Sequence, residues 1–268
     1  MAVRTEKNGA VWTIIHSRFE EARNAMDPDS ADALVAAFEE FDRDDSASVA
    51  VLWGEGGAFC AGWDLKYAST LTDSERPLTD IDYPTDPTRH VPRGPLGPTR
   101  LDLSKPVIAA VEGPAVAGGF ELALWCDMRV MAEDAYFGVY CRRWGIPLLD
   151  GGTVRLPRLV GMGRAMEITL TGRKVPATEA LAIGACERLV PRGQARQEAE
   201  KLAAEIARFP QACVRADRRS IYMQHGETVR DAMRKEWYNG LECLVQEGVG
   251  GAGRFKDGLG RHGDFSSI

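Results

Sequence analysis

Glu121 is the one acid inside "AVAGGFELALWC" (residues 115–126), an apolar stretch that carries a glycine pair where a helix is set to begin. A carboxylate one helical turn beyond Gly118 has two uses. It can complement the positive end of the helix dipole, worth up to about 1 kcal/mol. It can also act as a general base beside a helix end that binds an anion. A second turn of the same form, "GEGGAFCAGWDLK" (residues 54–66), follows another apolar run. In both, small residues let a ligand approach the backbone, and a helix start beyond them offers unpaired N–H groups. Two such turns on neighbouring strands can converge on one oxygen as an oxyanion hole, where each donor contributes about 3 kcal/mol in the transition state.

Elements able to carry these turns are legible on either side. "AVWTIIHS", "SVAVLWG" and "KPVIAAVEG" read as strands, the second buried on both faces. "MRVMAED" and "AYFGVY" read as further strands after the helix that carries Glu121. In "DSADALVAAFEEFDRD" the spacing sets Leu34, Val35, Phe38 and Phe41 on one helical face, with Asp29 or Ser30 as N-cap. Alternating strands and helices predict an α/β or mixed core. From about Met162 the pattern turns helical through "ETVRDAMRKEWYNGLECLVQEG", so the C-terminal part reads as a helical layer. We expect a core over residues 1–200 and a helical region over 201–268. The glycine-rich end, "GVGGAGRFKDGLGRHGDF", is expected to order only on contact with a partner. Residues 67–105 hold Pro77, Pro84, Pro87, Pro92, Pro95 and Pro98, a density that forbids a long helix. Such a segment is a lid or binding loop, or an unstructured insertion.

Composition narrows the function classes. The 268 residues are 44% hydrophobic and 27% charged, as in soluble globular proteins. A net charge of −6 argues against non-specific nucleic-acid binding. The six cysteines form no CxxC pair, and His16, His90, His225 and His262 have no ligand spacing, so no metal site is implied. Scattered thiols, no secretory signal and no membrane-length apolar run predict a cytoplasmic protein without membrane contact. "GEGGAF" and "GMGRAM" each lack the third glycine of a dinucleotide fingerprint.

"TIIHSRFEEARNAM", "GAFCAGWDLK", "SKPVIAAVEGPAVAGGFELALWCD" and "GGTVRLPRLVGMGRAMEITLTGRKVPATEALAIG", in this order, resemble the successive signatures of the enoyl-CoA hydratase/isomerase, or crotonase, family. The resemblance implies a spiral of ββα units with a helical C-terminal region that builds homotrimers, often paired as hexamers. It implies an acyl-CoA thioester substrate, no permanently bound cofactor, and an enolate stabilised at the thioester carbonyl. Carried over residue by residue, the donors are the N–H groups of Trp63 and Gly118, and Glu121 matches the first of the two hydratase acids. Ala22, Arg23, Ala61, Asp64, Leu65, Lys66, Gly119 and Cys141 fall where family members contact CoA or substrate. Phe255 and Lys256 resemble residues that some members lend to a neighbour's adenine pocket.

One position departs from the hydratase pattern. In "FGVYCRRWGIPLLDGG", Cys141 stands where hydratases carry their second glutamate. A thiol activates water at neutral pH only if its pKa is lowered, for which Arg142 and Arg143 are the nearby cations. Asp150, before a glycine pair, lies where some members place an essential aspartate, and it can equally cap the helix expected from Thr153 to Leu159. Hydration of a 2-enoyl-CoA is the first reading. The alternatives are an isomerase or another enolate-forming enzyme using Asp150, or a non-catalytic acyl-CoA-binding scaffold.

Overall fold

The computed structural model describes residues 2–73, 78–263 and 265. Its main sheet has the order β1 (Val3–Asn8), β2 (Val11–His16), β3 (Val49–Gly54), β4 (Val107–Val111), β6 (Met128–Ala132) and β9 (Arg188–Val190). Only the β1–β2 pair is antiparallel. Parallel neighbours need crossovers, and helices provide them. The side chains of β2 and β4 are buried along their whole length, as a sheet covered on both faces requires. A smaller sheet joins β5 (Pro114–Val116), β7 (Tyr136–Gly138) and β8 (Lys174–Pro176).

The first crossover, α2 (Pro28–Arg43), follows the short α1 (Phe19–Ala22). It buries Leu34, Phe38 and Phe41 completely, each contributing about 1.5–3 kcal/mol. Its N-cap is Asp27, not Asp29 or Ser30: the Asp27 carboxylate accepts the Ser30 N–H at 2.9 Å, and Pro28 takes the first helical position. At the other end the buried Lys105 ammonium donates to the carbonyls of Phe41 and Asp44. Phe38 meets Trp125 edge-on at 4.9 Å, tying α2 to α4 (Gly118–Trp125), the helix of Glu121.

After the short α3 (Leu65–Ala68), the proline-rich segment contains only brief 3₁₀ turns among its described residues. Pro77 lies outside the described residues. The end of the segment is packed, with Leu96, Pro98 and Thr99 buried, so it is not an unstructured insertion there. Helices α5 (Gly152–Val160), α6 (Met162–Thr171) and α7 (Ala177–Ala182) lead to β9. Helix α8 (Ala195–Ala207) lies across the main sheet with Ala195, Ala199, Leu202 and Ala203 buried, and residue 200, where the division was expected, falls inside it.

Beyond it, α9 (Gln211–Met223) and α10 (Val229–Cys243) form an antiparallel pair. Asp127, at the end of α4, accepts from Arg218 and from the Tyr222 hydroxyl, both at 2.8 Å, which anchors α9 to the core. A π turn over Leu244–Gly248 continues α10 into α11 (Val249–Lys256). The glycine-rich end is helical over Val249–Lys256, and none of these residues is buried. Each glycine inside α11 costs about 1 kcal/mol relative to alanine. Val229, Met233, Trp237, Val245 and Val249 all stand exposed on this helical layer.

Candidate active site

The two glycine turns meet. In the first, Met26 donates to the Gly62 carbonyl at 2.7 Å and accepts from the Asp64 N–H at 2.8 Å. Alternation along an extended backbone then turns the Trp63 N–H the other way. In the second, Ala117 is held at φ 53°, ψ −125°, a conformation costing an alanine about 1–3 kcal/mol. That kink starts α4 with Gly118, whose N–H has no preceding helical turn to bond. Among the described residues neither N–H has an acceptor.

The two glycines of the pair are small for different reasons. A β-carbon on Gly119 would stand 2.1 Å from the Cys60 carbonyl oxygen, so Gly119 lets α4 press against the first turn. The space beside Gly118 is taken by the Leu96 side chain, 2.4 Å from where its β-carbon would be. Gly119 is therefore a packing position and does not line the cavity described below.

Glu121 is 3% exposed, and its carboxylate is caught by the next helix rather than by its own. Oε1 accepts the Asp150 N–H at 2.9 Å and the Gly152 N–H at 2.8 Å, at the start of α5. Burial, reinforced by the negative charge of Asp150, pushes its pKa up to about 7, while the N–H groups of Gly152, Asp150 and Leu149 pull it down. Held by two donors near half-ionisation at neutral pH, this group can take up and return a proton.

Asp150 is equally buried, and burial raises its pKa. It does not cap α5, whose N-cap is Gly151 with no side-chain bond and whose first residue is Gly152. Its Oδ1 instead accepts from the Leu96 N–H at 3.0 Å and from the Thr99 hydroxyl. The Cys141 thiol is pushed up by burial and then by the charge of Glu121, which outweigh Arg142. It is not an activated nucleophile. Arg143 lies over the rings of Tyr140 and Trp144, at 4.7 and 5.8 Å.

A cavity of about 320 Å³ opens over these groups. Arg23, Ala61, Trp63, Leu65, Gly118, Glu121, Cys141 and Asp150 all line it. Four other expected contacts do not. Ala22 ends α1, and Lys66 is exposed on α3. Asp64 caps α3 through the Lys66 N–H and pairs with Arg18 at 3.0 Å. Gly119, as above, faces Cys60. His90, Phe255 and Lys256 are exposed and lie off the cavity. Sequence reasoning passed over Leu96, Tyr136 and Arg143 as cavity walls. The available signal for Leu96 was "GPLG", a turn pattern in which Gly94 and Gly97 exchange backbone hydrogen bonds at 3.0 Å. Among the described residues no cluster of three or more His, Cys, Asp or Glu side chains could hold a metal. Among the same residues, no helix is long and apolar enough to cross a membrane.

A family model described as enoyl-CoA hydratase/isomerase matches residues 6–237. Enoyl-CoA hydratase EchA19 of Mycobacterium tuberculosis is 38% identical over 249 residues, covering 90% of this chain and 88% of the relative. Carnitinyl-CoA dehydratase of Salmonella typhimurium is 38% identical over 202 residues, covering 75% and 72%. Among solved structures, enoyl-CoA hydratase EchA1 of Mycobacterium marinum superposes with a TM-score of 0.84 at 31% identity, covering 96% of each chain. The chain therefore belongs to the enoyl-CoA hydratase/isomerase family and has the crotonase fold.

Proposed function

We propose that the cavity binds a 2-enoyl-CoA thioester and adds water across its double bond. The observation that carries this reading is the meeting of two glycine turns whose Trp63 and Gly118 N–H groups have no acceptor among the described residues, beside a buried carboxylate with a pKa of about 7. The thioester oxygen accepts from both N–H groups, which stabilise the charge that develops there as the enolate forms. Glu121 takes a proton from water as the hydroxyl adds to C3, and the π electrons move onto the thioester oxygen. The same carboxyl returns that proton to C2 when the enolate collapses. One carboxyl suffices because the proton removed from water is the proton delivered to carbon, so Cys141 needs no acid–base part. The reverse reaction dehydrates a 3-hydroxyacyl-CoA, a reaction class in keeping with the carnitinyl-CoA dehydratase relative.

Arg23, which lines the cavity, and the exposed Lys66, next in sequence to the lining residue Leu65, are assigned to the phosphates of CoA, and no resident cofactor enters the scheme. The exposed apolar residues of α10 and α11 are assigned to contacts between copies in a homotrimer or hexamer. Six free thiols fit a reducing cytoplasm.

A second reading rests on Cys141. Shifting a double bond needs one base that moves a proton from C2 to C4, which Glu121 alone supplies, so isomerisation of a 3-enoyl-CoA suits a site whose second hydratase acid is a thiol. Parallel assays of crotonyl-CoA hydration and 3-enoyl-CoA isomerisation separate the two. Tight CoA-thioester binding with turnover in neither assay, unaltered by Glu121→Gln, would leave a binding scaffold.

A further inference from the structure

The carboxylate of Asp150 takes no part in Glu121's hydrogen bonds and instead accepts from a turn near the end of the proline-rich segment. Gly94 and Gly97 close that turn by exchanging backbone hydrogen bonds at 3.0 Å, with Pro95 and Leu96 at its tip. Gly97, at φ +84°, presses on α2 so closely that a β-carbon would stand 2.7 Å from the Ala31 carbonyl oxygen. At Gly94 a β-carbon would come within 2.4 Å of Asp150 Oδ1. Leu96 is 2% exposed and fills the space over Gly118.

Four bonds tie the turn to Asp150 and Arg155. Asp150 Oδ1 accepts from the Leu96 N–H at 3.0 Å and from the Thr99 hydroxyl. Arg155 donates from Nη2 to the Thr99 carbonyl at 2.9 Å and from Nη1 to the Asp150 carbonyl at 2.8 Å. Meanwhile the Asp150 N–H holds Glu121 at 2.9 Å. A single residue thus joins the wall of the cavity to the proton carrier.

We propose that Asp150 is a positioning residue, a latch whose carboxylate holds the Gly94–Thr99 turn, and with it Leu96, over the amide end of α4. The proposal rests on the reading that this cavity takes a CoA thioester. Asp150 then acts on turnover through Leu96, which fixes the acyl wall beside the Gly118 donor, and through its charge on Glu121. The groups that face this pair are Cys60 from the first glycine turn, Cys141 from the turn after β7, Arg100 from the 3₁₀ turn Pro98–Arg100, and Arg155 from α5.

Because both side-chain bonds fall on one oxygen, Asp150→Asn keeps the latch and removes only the charge, whereas Asp150→Ala removes both. Two readouts test this in the full-length protein. In hydrogen exchange, the peptide covering Leu96 and Thr99 should open about 10- to 100-fold faster in Asp150→Ala, the scale of a hydrogen bond to a charged group, and stay near wild type in Asp150→Asn. In steady-state kinetics with crotonyl-CoA, Asp150→Ala and the milder Thr99→Val should raise KM more than they lower kcat. Asp150→Asn should keep turnover within about tenfold, with the limb of kcat/KM set by Glu121 moved to lower pH, because a neighbouring negative charge has gone. A proton-transferring Asp150 would instead make Asn as damaging as Ala, about 10²- to 10⁴-fold in kcat, and would overturn the latch. Unchanged exchange in Asp150→Ala and Thr99→Val overturns it too. The exchange arm needs no substrate, so a failed latch is distinguishable from a wild-type protein that does not turn over crotonyl-CoA.

Discussion

An ideal β-carbon on Gly62 would stand 3.2 Å from the amide nitrogen of Gly118. The backbone before the Trp63 donor therefore abuts the backbone of the second donor, a close approach that a side chain at residue 62 would obstruct. Gly62 also sits at φ +94°, which L side chains rarely adopt. We expect Gly62→Ala to destabilise the fold by about 1–3 kcal/mol. It should also lower kcat by about 10²- to 10³-fold, the usual loss for one oxyanion donor. Thermal melts and steady-state kinetics on the same preparation check both.

The glycine pair offers a contrast. At Gly118 the obstacle to a β-carbon is the end of the Leu96 side chain, which can move; at Gly119 it is the Cys60 carbonyl, which cannot. Gly118→Ala should fold and lose activity, and Leu96→Ala in the same chain should restore part of it. Gly119→Ala should yield little folded protein, and Leu96→Ala should not rescue it. Soluble yield and kcat/KM for the four variants give the answer.

Two buried groups tilt stability in opposite directions with pH. The Glu121 pKa rises from 4.5 to about 7 on folding, so the native state holds a proton that the unfolded chain has released, and stability falls as pH rises through that window. His16 is 2% exposed at the end of β2 with neither ring nitrogen hydrogen-bonded among the described residues. Burial first, then Arg18, lowers its pKa from 6.5 to about 4, against a smaller opposing effect of Asp27. Here the unfolded chain binds the extra proton, and stability falls as pH drops from 6.5 towards 4. Each effect is of order 3 kcal/mol, so they largely offset between pH 4.5 and 6.5. Glu121→Gln keeps the acceptor oxygen and removes one side of the balance. We expect it to be more stable than wild type at pH 8 and to lose stability more steeply on acidification, as urea titrations at several pH values will show.

What the sequence made legible was what local chemistry dictates. Glu121, Gly118 and Trp63 stand in motifs of fixed order, and the buried face of α2 shows in its 3.6-residue spacing. Asp27 does not stand out as the cap, although Asp-Pro opens the helix, because Asp29 and Ser30 are equally good caps by residue type. Strands β5 and β8, of three residues each, are too short for any periodicity to register. The bond from Leu96 to Asp150 spans 54 positions and depends on where a proline-rich turn comes to rest. No pattern in either segment announces it. The packing demand on Gly119 is equally hidden, since the Cys60 carbonyl that imposes it belongs to the other turn.

Proton transfer by Glu121 is most directly tested by following the loss of the conjugated enoyl-thioester absorbance of crotonyl-CoA, for wild type and Glu121→Gln side by side. We expect wild-type hydration whose kcat/KM rises with pH through a limb near 7, the Glu121 pKa. In Glu121→Gln, kcat should fall by about 10²- to 10⁴-fold while thioester binding is kept. Equal rates in the two proteins, or a loss of binding as large as the loss of rate, would contradict the assignment of Glu121 as the proton carrier.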